Sequence, residues 1–305
     1  MKKISILGDS NVDMLIYLNN PTELSDPKLY CGGSSANVAY GLSKLGNDVH
    51  FFGSIGNDIH GKFIIEDMNK SGVNIDNLDI LDTESTAMVI GVVDTQSERN
   101  LFVWPPDNAA HSKYQLSQMH LDNLINNDWL HVSGISLREN PACESMLEAM
   151  KLCFQNDITV SFDLNLRIEL WGLSNEFRKI VLEAISYSNY IFGSLSEEFQ
   201  HLYSNEDFEA EFNKELNIEK TFIVRDGKNG SICYLDNNAI KTPGFSVNLI
   251  DTVGAGDAFN TGFIHSKVNH QDLKTALIKA NAVAAYKIQG HGARHLPDFE
   301  QLSKI

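Results

Sequence analysis

Short apolar runs recur along this chain of 305 residues, and the segments between them limit the fold more than any other feature. Most of these segments place apolar side chains at helical spacing, and strands that alternate with helices are typical of α/β folds with a largely parallel sheet. The chain could hold one large domain or two small ones, but no linker or repeat divides it. We therefore expect a single α/β domain over residues 1–305. The predicted strands are residues 4–7, 49–52, 129–132, 158–162, 190–192 and 221–224.

Two segments carry clear helical patterns. Ser34 or Ser35 can cap a helix with an apolar face that ends at Gly46, because serine is favoured at helix starts and glycine just beyond helix ends. A second amphipathic stripe runs from Leu273 to Ala284.

Two extended regions break the alternation. Residues 14–30 and 87–104 are rich in apolar side chains but show no helical pattern, and the polar turn 94–99 separates two strand-like runs as in a hairpin. Strands that project from an α/β core suggest a lid, which we place at about 14–31 and 86–106. A lid sheet has edges that need covering, so a homodimer through the lid is expected.

The charge balance disfavours several partners. The chain has 24 basic and 40 acidic side chains, a formal net charge of −16. Such a surface repels nucleic acids and anionic lipids, so we expect neither as a partner. A local anion-binding site could still accept a nucleotide.

Cysteine use points to a reducing compartment. Cys31, Cys143, Cys153 and Cys233 show no C-x-x-C spacing, which argues against a zinc site and against a disulfide framework. The first apolar run is too short for a signal peptide, and no stretch approaches the length of a membrane span. We expect a cytoplasmic protein.

Residues 251–259 carry the chemistry of the chain, as two carboxylates around a Gly-Ala-Gly turn before an apolar helical pattern. A helix start offers unpaired N–H groups and the positive end of the helix dipole. Gly254, Ala255 and Gly256 leave these donors open to an anion, and Asp257 follows in the first turn. A carboxylate base beside an anion hole suits phosphoryl transfer to a hydroxyl. The plain alternative is a tight turn without catalysis.

A second cluster, Gly32-Gly33-Ser34-Ser35-Ala36-Asn37, begins the first predicted helix, and Gly46 and Gly56 follow it. Together with residues 251–259, it resembles both signatures of the ribokinase-type (PfkB) carbohydrate kinase family. The first signature fits at every fixed position. The second fits in its Asp-Thr-x-Gly-Ala-Gly-Asp core, although Thr261 stands where a smaller residue is usual. The resemblance runs from Ile4 to about Asp298.

This resemblance implies a ribokinase-like three-layer α/β core with a mostly parallel sheet and a small β lid. It also implies transfer of the ATP γ-phosphate to a sugar hydroxyl, with Asp257 as the general base and Gly254, Ala255 and Gly256 as the anion hole. The residues expected to hold sugar hydroxyls are Asp13, Gly33 and Asn37. Taken alone, Asp13 is better explained as a strand-end carboxylate that caps a turn, and only the resemblance favours the sugar-binding role.

A third cluster, residues 162–171, resembles the Asp-x-Asn-x-Arg-x-x-Leu-Trp segment of fructokinases and 2-keto-3-deoxygluconate kinases. Polar groups at the carboxyl end of a parallel strand point into the ligand crevice. The resemblance places Asp163, Asn165 and Arg167 at the substrate, with Arg167 as the holder of an anion. The alternative for Arg167 is an ordinary ion pair with Glu169.

On the nucleotide side, the resemblance assigns Ser194 and Glu197 to the family's Asn-x-x-Glu motif, with Ser194 in place of the asparagine. Glu197 would help to hold Mg²⁺ through water. A monovalent cation such as K⁺ is implied near the backbone carbonyls of Asp251 and Val253. Further residues expected along the nucleotide are Arg225, Gly227, Gly230, Asn281 and Gly292.

The end of the lid hairpin bears on the substrate. In 2-keto-3-deoxygluconate kinases we would expect an arginine where this chain has Pro105. Its absence removes one partner for a substrate carboxylate and favours a neutral, fructose-like ketose over a sugar acid, which is the alternative. Trp104 would cover the apolar face of the sugar, or simply pack within the lid.

Two other functions stay open. A kinase-fold protein could bind sugar or nucleotide to regulate a partner without catalysis, although the intact Asp257 and Gly-Ala-Gly turn speak against this. A nucleoside kinase of the same fold is disfavoured by residues 162–171.

Overall fold

A nine-stranded sheet forms the centre of the protein, and it contains all six strands predicted from the sequence. The computed structural model describes residues 2–20, 23–93, 99–203, 220–235 and 238–304. The strands are β1 (Lys3–Leu7), β2 (Asn11–Asn20), β3 (Glu23–Leu24), β4 (Lys28–Gly32), β5 (Asp48–Gly56), β6 (Asn74–Leu81), β7 (Met88–Val93), β8 (Arg99–Trp104), β9 (Trp129–Ser133), β10 (Thr159–Asp163), β11 (Tyr190–Ser194), β12 (Thr221–Arg225), β13 (Ser231–Leu235) and β14 (Asn238–Thr242).

The helices of the described residues surround this sheet and a smaller one. They are α1 (Ser34–Lys44), α2 (Ile59–Ser71), α3 (Gln118–Ile125), α4 (Ala142–Gln155), α5 (Ile168–Trp171), α6 (Asn175–Ser186), α7 (Gln200–Leu202), α8 (Ala255–Val268), α9 (Leu273–Lys287) and α10 (Phe299–Leu302). None of them is long and apolar enough to cross a membrane.

The order of the large sheet is β14-β13-β12-β11-β10-β9-β1-β5-β6. The strands from β12 to β6 pair in parallel, whereas β13 and β14 extend the sheet in antiparallel fashion. Side chains on β1, β9 and β10 are almost entirely buried, as is usual for parallel strands covered by helices on both faces. The carboxyl ends of β1, β10, β11 and β12 therefore lie along one edge of the sheet.

A separate five-stranded sheet contains β3, β2, β7 and β8 in that order, with β4 paired to β2. Its strands fall in the two regions predicted to be extended, so the α/β core with a small additional sheet is confirmed. The predicted hairpin is formed by antiparallel β7 and β8, although residues 94–98 of its turn lie outside the described residues. The exact limits of the lid stay a prediction.

The start of α1 differs from the prediction. Its N-cap is Gly33, at a φ of 97°, and neither Ser34 nor Ser35 caps the helix. Both serines lie buried in the first turn, where the Asp9 carboxylate accepts hydrogen bonds from their backbone N–H groups at 2.8 and 3.1 Å. A carboxylate from the turn after β1 thus replaces the local cap. The end of α1 agrees with the sequence, since Gly46 follows it at a φ of 82°.

Candidate active site

Asp257 lies in the first turn of α8, as predicted. The helix begins at Ala255, and Gly254 adopts a φ of 75° at the N-cap, a left-handed conformation that glycine takes at little cost. A Cβ atom on Gly254 would also lie 2.6 Å from the Cβ of Ala293. The turn is therefore shaped for glycine, and it places Asp257 in the first turn of the helix, while the Ala255 N–H donates to the Thr252 carbonyl oxygen at 3.1 Å.

The two signatures meet at the Asp257 carboxylate. Ser34 Oγ donates to its Oδ1 at 2.7 Å, and Asn37 Nδ2 donates to its Oδ2 at 2.9 Å. Both donors are neutral. Burial raises the pKa of Asp257 to about 6, although the hydrogen bonds from Asn37 and Ser34 oppose the shift. A carboxylate with this pKa can accept a proton near neutral pH.

Asp9 holds the segment that supplies these donors. Besides the two backbone bonds at the start of α1, its carboxylate accepts a hydrogen bond from Ser35 Oγ at 2.9 Å. A Cβ atom on Gly33 would lie 2.7 Å from the Asp9 carbonyl oxygen. The sequence prediction missed Asp9, but its position directly after a buried strand was a usable signal.

Asp13 lies on β2, the first long strand of the small sheet. Asn11 Nδ2 donates to its Oδ1 at 2.6 Å, and burial raises the pKa of Asp13 to about 6. A Cβ atom on Gly32 would clash with Asp13 Oδ2, so this carboxylate packs against the glycine pair that precedes α1. Asp13 thus lies beside the residue that precedes Gly33, and the role of both in sugar binding stays a prediction.

Asp163 has a different environment at the end of β10. Arg225 Nη1 and Nη2 donate to its two carboxylate oxygens at 3.1 and 2.8 Å, and Asn260 Nδ2 donates at 2.6 Å. Burial alone would raise the pKa of Asp163, but the charge and hydrogen bonds of Arg225 outweigh it and lower the pKa. Arg225 Nη1 also reaches the Gly256 carbonyl oxygen at 3.4 Å. This ion pair therefore joins the sheet to the first turn of α8.

These contacts show where two predicted ligand-binding residues lie. Asp163, expected at the sugar, and Arg225, expected at the nucleotide, bind each other. Their roles toward ligands stay predictions. Asn260, which the sequence prediction missed, is part of this network and lies three positions after Asp257, a spacing that puts both on one helix face.

Glu198 is a second residue that the sequence prediction missed. It is buried, and its carboxylate accepts hydrogen bonds from the backbone N–H groups of Leu166 and Ser194 at 3.0 and 2.7 Å. Its Oε2 lies 3.7 Å from Arg225 Nη2, and burial raises the pKa of Glu198 to about 7. Glu197, the predicted residue, is exposed in the same turn. The Asn-x-x-Glu motif selects Glu197, whose carboxylate is exposed, whereas the buried carboxylate belongs to the next residue, Glu198.

The exposed Glu197 carboxylate fits the predicted contact to Mg²⁺ through water. Mg²⁺ at phosphate sites usually keeps several waters and needs only one or two protein carboxylates. The described part of the chain has no group of three or more His, Cys, Asp or Glu side chains placed to hold a metal ion.

The remaining substrate-side predictions fall near the edge of the sheet. Asn165 Nδ2 donates to Ser133 Oγ at 3.0 Å. The Arg167 side chain is 51% exposed, and its Nη1 lies 4.0 Å from Glu169 Oε1. A loose, exposed ion pair of this kind leaves the guanidinium accessible to an anion. Trp104, at the end of β8, is also exposed.

The predicted nucleotide-side residues have structural partners of their own. Gly227 and Gly230 both have positive φ angles, and a Cβ atom on Gly230 would clash with the Thr242 carbonyl oxygen. Asn281 Nδ2 donates to Ser231 Oγ and Thr242 Oγ1 at 3.1 and 2.9 Å, which ties α9 to β13 and β14.

The segment expected to coordinate a monovalent cation contains a lysine contact. The Asp251 carboxylate accepts hydrogen bonds from the N–H groups of Val253 and Gly292, both at 2.9 Å. The Asp251 carbonyl oxygen accepts one from Lys287 Nζ at 2.7 Å. A K⁺ ion on this oxygen would lie close to the Lys287 ammonium group, and two unit charges about 4 Å apart repel by about 4 kcal/mol at an effective dielectric constant of about 20. The residues present therefore do not fit a K⁺ ion at this oxygen.

The α/β fold and the carboxylate in the first turn of α8 fit a phosphotransferase, and comparison with known proteins gives its family. The pfkB family carbohydrate kinase model matches residues 1–299, so the chain belongs to the pfkB family of carbohydrate kinases. This confirms the resemblance, the fold class and the enzyme class that the sequence predicted.

Relatives within the family carry several specificities. A 5-dehydro-2-deoxygluconokinase of Mesomycoplasma hyopneumoniae is 28% identical over 312 residues, which cover 97% of this chain and 90% of that protein. The aminoimidazole riboside kinase of Salmonella typhimurium is 29% identical over 99% of this chain and 94% of its own. The structure of a fructokinase with bound ATP from Xylella fastidiosa matches with a TM-score of 0.88 at 24% identity, covering 99% of this chain and 97% of that one, which shows the shared fold.

Proposed function

We propose that this carbohydrate kinase transfers the γ-phosphate of ATP to a hydroxyl group of a keto sugar or keto sugar acid, with Asp257 as the general base. The observation that carries the proposal is the Asp257 carboxylate, held by Ser34 and Asn37 at the start of α8 with its pKa raised to about 6. It can take the hydroxyl proton as the sugar oxygen attacks the γ-phosphorus. The bond from that phosphorus to the bridging oxygen of ADP breaks in the same transfer.

The rest of the site would support this step. The turn formed by Gly254, Ala255 and Gly256 would stabilise negative charge on the transferring phosphoryl group. Asp13, Gly33 and Asn37 would orient the sugar. Mg²⁺, held in part by Glu197 through water, would neutralise phosphate charge when bound.

For the substrate class we propose a keto sugar acid first. Relatives over more than nine-tenths of this chain are named 5-dehydro-2-deoxygluconokinase, after a keto sugar acid. The exposed Arg167 guanidinium, 4.0 Å from its carboxylate neighbour, supports the binding of a substrate carboxylate. A neutral, fructose-like ketose is the second candidate, because Pro105 stands where the sequence comparison expected a further arginine.

A coupled assay of ADP release tests both candidates. The panel contains 5-dehydro-2-deoxygluconate, 2-keto-3-deoxygluconate, fructose and a nucleoside, each against a reaction without sugar. We expect the highest kcat/KM with a keto sugar acid, and Arg167→Gln should raise KM for that substrate about tenfold while leaving fructose unchanged. Highest kcat/KM with fructose would favour the second candidate. ATP binding by calorimetry without turnover on any sugar would instead indicate a non-catalytic regulator.

We also propose a homodimer through the small sheet. Its strands expose large apolar side chains, a composition that favours a protein contact over water. Light scattering on the purified protein should give twice the chain mass, and Phe102→Lys should give monomers. A monomeric wild-type protein would rule out this interface. The apolar side chains exposed on these strands are Leu24, Leu29, Phe102, Val103 and Trp104.

A further inference from the structure

Lys287, the last residue of α9, is fully buried. Lysine is almost never fully buried unless its ammonium group is paired, because removal of the charge from water is costly. Here Nζ donates to the Asp251 carbonyl oxygen at 2.7 Å. A buried positive charge bound to backbone oxygen is an unusual choice at a position where an apolar side chain would continue the helix stripe.

The surroundings of Lys287 connect it to the anion hole. The N–H groups of Ile250 and Asp251 both donate to the Ile288 carbonyl oxygen, at 2.8 and 3.2 Å. The Asp251 carboxylate joins Val253 to Gly292. The ammonium group thus lies where the segment before α8 meets the segment after α9, and the first of these leads directly into the Gly-Ala-Gly turn.

We propose that Lys287 supplies, as a covalently attached ammonium group, the positive charge that a bound K⁺ ion would otherwise provide behind the anion hole. The kinase then needs no monovalent cation. The inference rests on the proposed role of residues 254–256 in holding the phosphoryl group. Lys287 acts through the backbone of residues 250–254, so it is a positioning residue.

The binding chemistry of the two cations supports the replacement of K⁺ by the Lys287 ammonium group. An ammonium group donates up to three hydrogen bonds to oxygens, and K⁺ likewise binds backbone carbonyl oxygens. A tethered cation has no binding equilibrium with the solvent, so its effect does not depend on the salt present. The alternative is that Lys287 only stabilises the carboxyl end of α9, where a positive charge is favourable.

The first experiment compares the wild-type enzyme in KCl, NaCl and tetramethylammonium chloride at equal ionic strength. We expect initial rates, ADP affinity and the thermal unfolding temperature to agree within about twofold or a few degrees, because only general screening remains. Activation by K⁺ of more than about fivefold over tetramethylammonium, or a K⁺-dependent ADP affinity, would overturn the proposal.

The second experiment uses Lys287→Ala, which opens space for an ion. In tetramethylammonium chloride its turnover should fall at least about tenfold, as expected when stabilisation of the phosphoryl site weakens. Added K⁺ should restore turnover in part and should raise both ADP affinity and the unfolding temperature of this variant. If the variant instead keeps wild-type turnover and K⁺ does not change it, the lysine is purely structural and the proposal is wrong.

Lys220 provides a matched control. It is also buried, and its Nζ donates to the carbonyl oxygens of Ser186 and Ser188 at 2.9 and 3.1 Å. It precedes β12 at the end of that strand away from Arg225. Lys220→Ala should lose stability without any K⁺ effect on ADP affinity; a K⁺ effect equal to that of Lys287→Ala would overturn the proposal.

If Lys287→Ala does not fold, Lys287→Met can replace it, because methionine keeps about the volume of the side chain without the charge. The comparison of the wild-type enzyme in the three salts still tests the proposal. ADP binding and unfolding need no sugar, so a wrong substrate assignment would not affect these results.

Discussion

Asp257, which is half-buried, and Asp163, which is buried, lie at the same edge of the sheet, and they differ in their partners. Asp257 is held by the neutral groups of Ser34 and Asn37, and burial raises its pKa to about 6. Asp163 forms a two-point ion pair with Arg225, which lowers its pKa.

The difference teaches that the partner decides the chemistry of a buried carboxylate. A carboxylate stabilised only by neutral donors can still exchange a proton near neutral pH, as a base must. One that faces a guanidinium stays ionised and serves as an anchor. The same type of side chain thus has a raised pKa in one environment and a lowered pKa in the other. Such differences separate acid–base roles from structural roles in active sites.

The largest expected effect is on Asp257 itself. Asp257→Asn keeps the size of the side chain and removes the base, so kcat should fall at least about a hundredfold, the lower end of general-base contributions. Steady-state ADP release measures it, with circular dichroism as the control for folding. Equal rates for the Asp257→Asn variant and the wild-type enzyme would show that Asp257 is not the base.

Asp163→Asn tests the anchor role. Removal of this charge leaves Arg225 buried with the more distant Glu198, so the free energy of unfolding should fall by about 3 kcal/mol in urea titrations. The double variant Asp163→Leu with Arg225→Met should lose less than the single one, because no unpaired charge remains. Loss of turnover without loss of stability would instead give Asp163 a direct role in the reaction.

Ser34→Ala tests the comparison by removing one hydrogen-bond donor to the Asp257 carboxylate. Loss of one hydrogen bond to the ionised carboxylate should shift the ascending limb of kcat/KM against pH upward by about one pH unit. The rate would then fall about fivefold at pH 6 and little at pH 8.5. Ser35→Ala is the matched control, since Ser35 Oγ binds Asp9 and should leave the limb in place. Equal shifts for both variants would contradict the assignment.

The smallest expected effect concerns stability. The native pKa of Asp257 is about 6 and its ordinary value is 3.8, so its contribution to stability is fully present below about pH 4 and is lost as the pH rises through 6. Asparagine does not ionise, so the Asp257→Asn variant does not lose this stability as the pH rises. Its unfolding temperature should therefore exceed that of wild type by a few degrees at pH 8 and by little at pH 4. A difference that shrinks with rising pH would show that the native pKa is not raised.

The sequence predicted most of the fold, and the position of Asp257 in the first turn of a helix, for a physical reason. Buried parallel strands leave apolar runs, and a helix start open to an anion needs small residues such as those at 254–256. The misses depend on contacts that sequence spacing does not report. Asp9 caps a helix that begins 25 residues later, and Glu198 differs from Glu197 in the direction in which the π-helical turn of residues 195–199 points its side chain. Lys287 ends an apolar stripe, and only tertiary structure shows what its charge faces.

The hydrogen bond between Ser34 and Asp257 joins positions 223 residues apart. Domains fold as they leave the ribosome, with their amino-terminal parts available first. A nascent chain therefore holds the glycine pair, Asn37 and most of the central strands long before α8 has been synthesised. Until then Asp9 can organise α1, but the carboxylate that we propose as the base is absent. A product that terminates before α8 would therefore lack the proposed base.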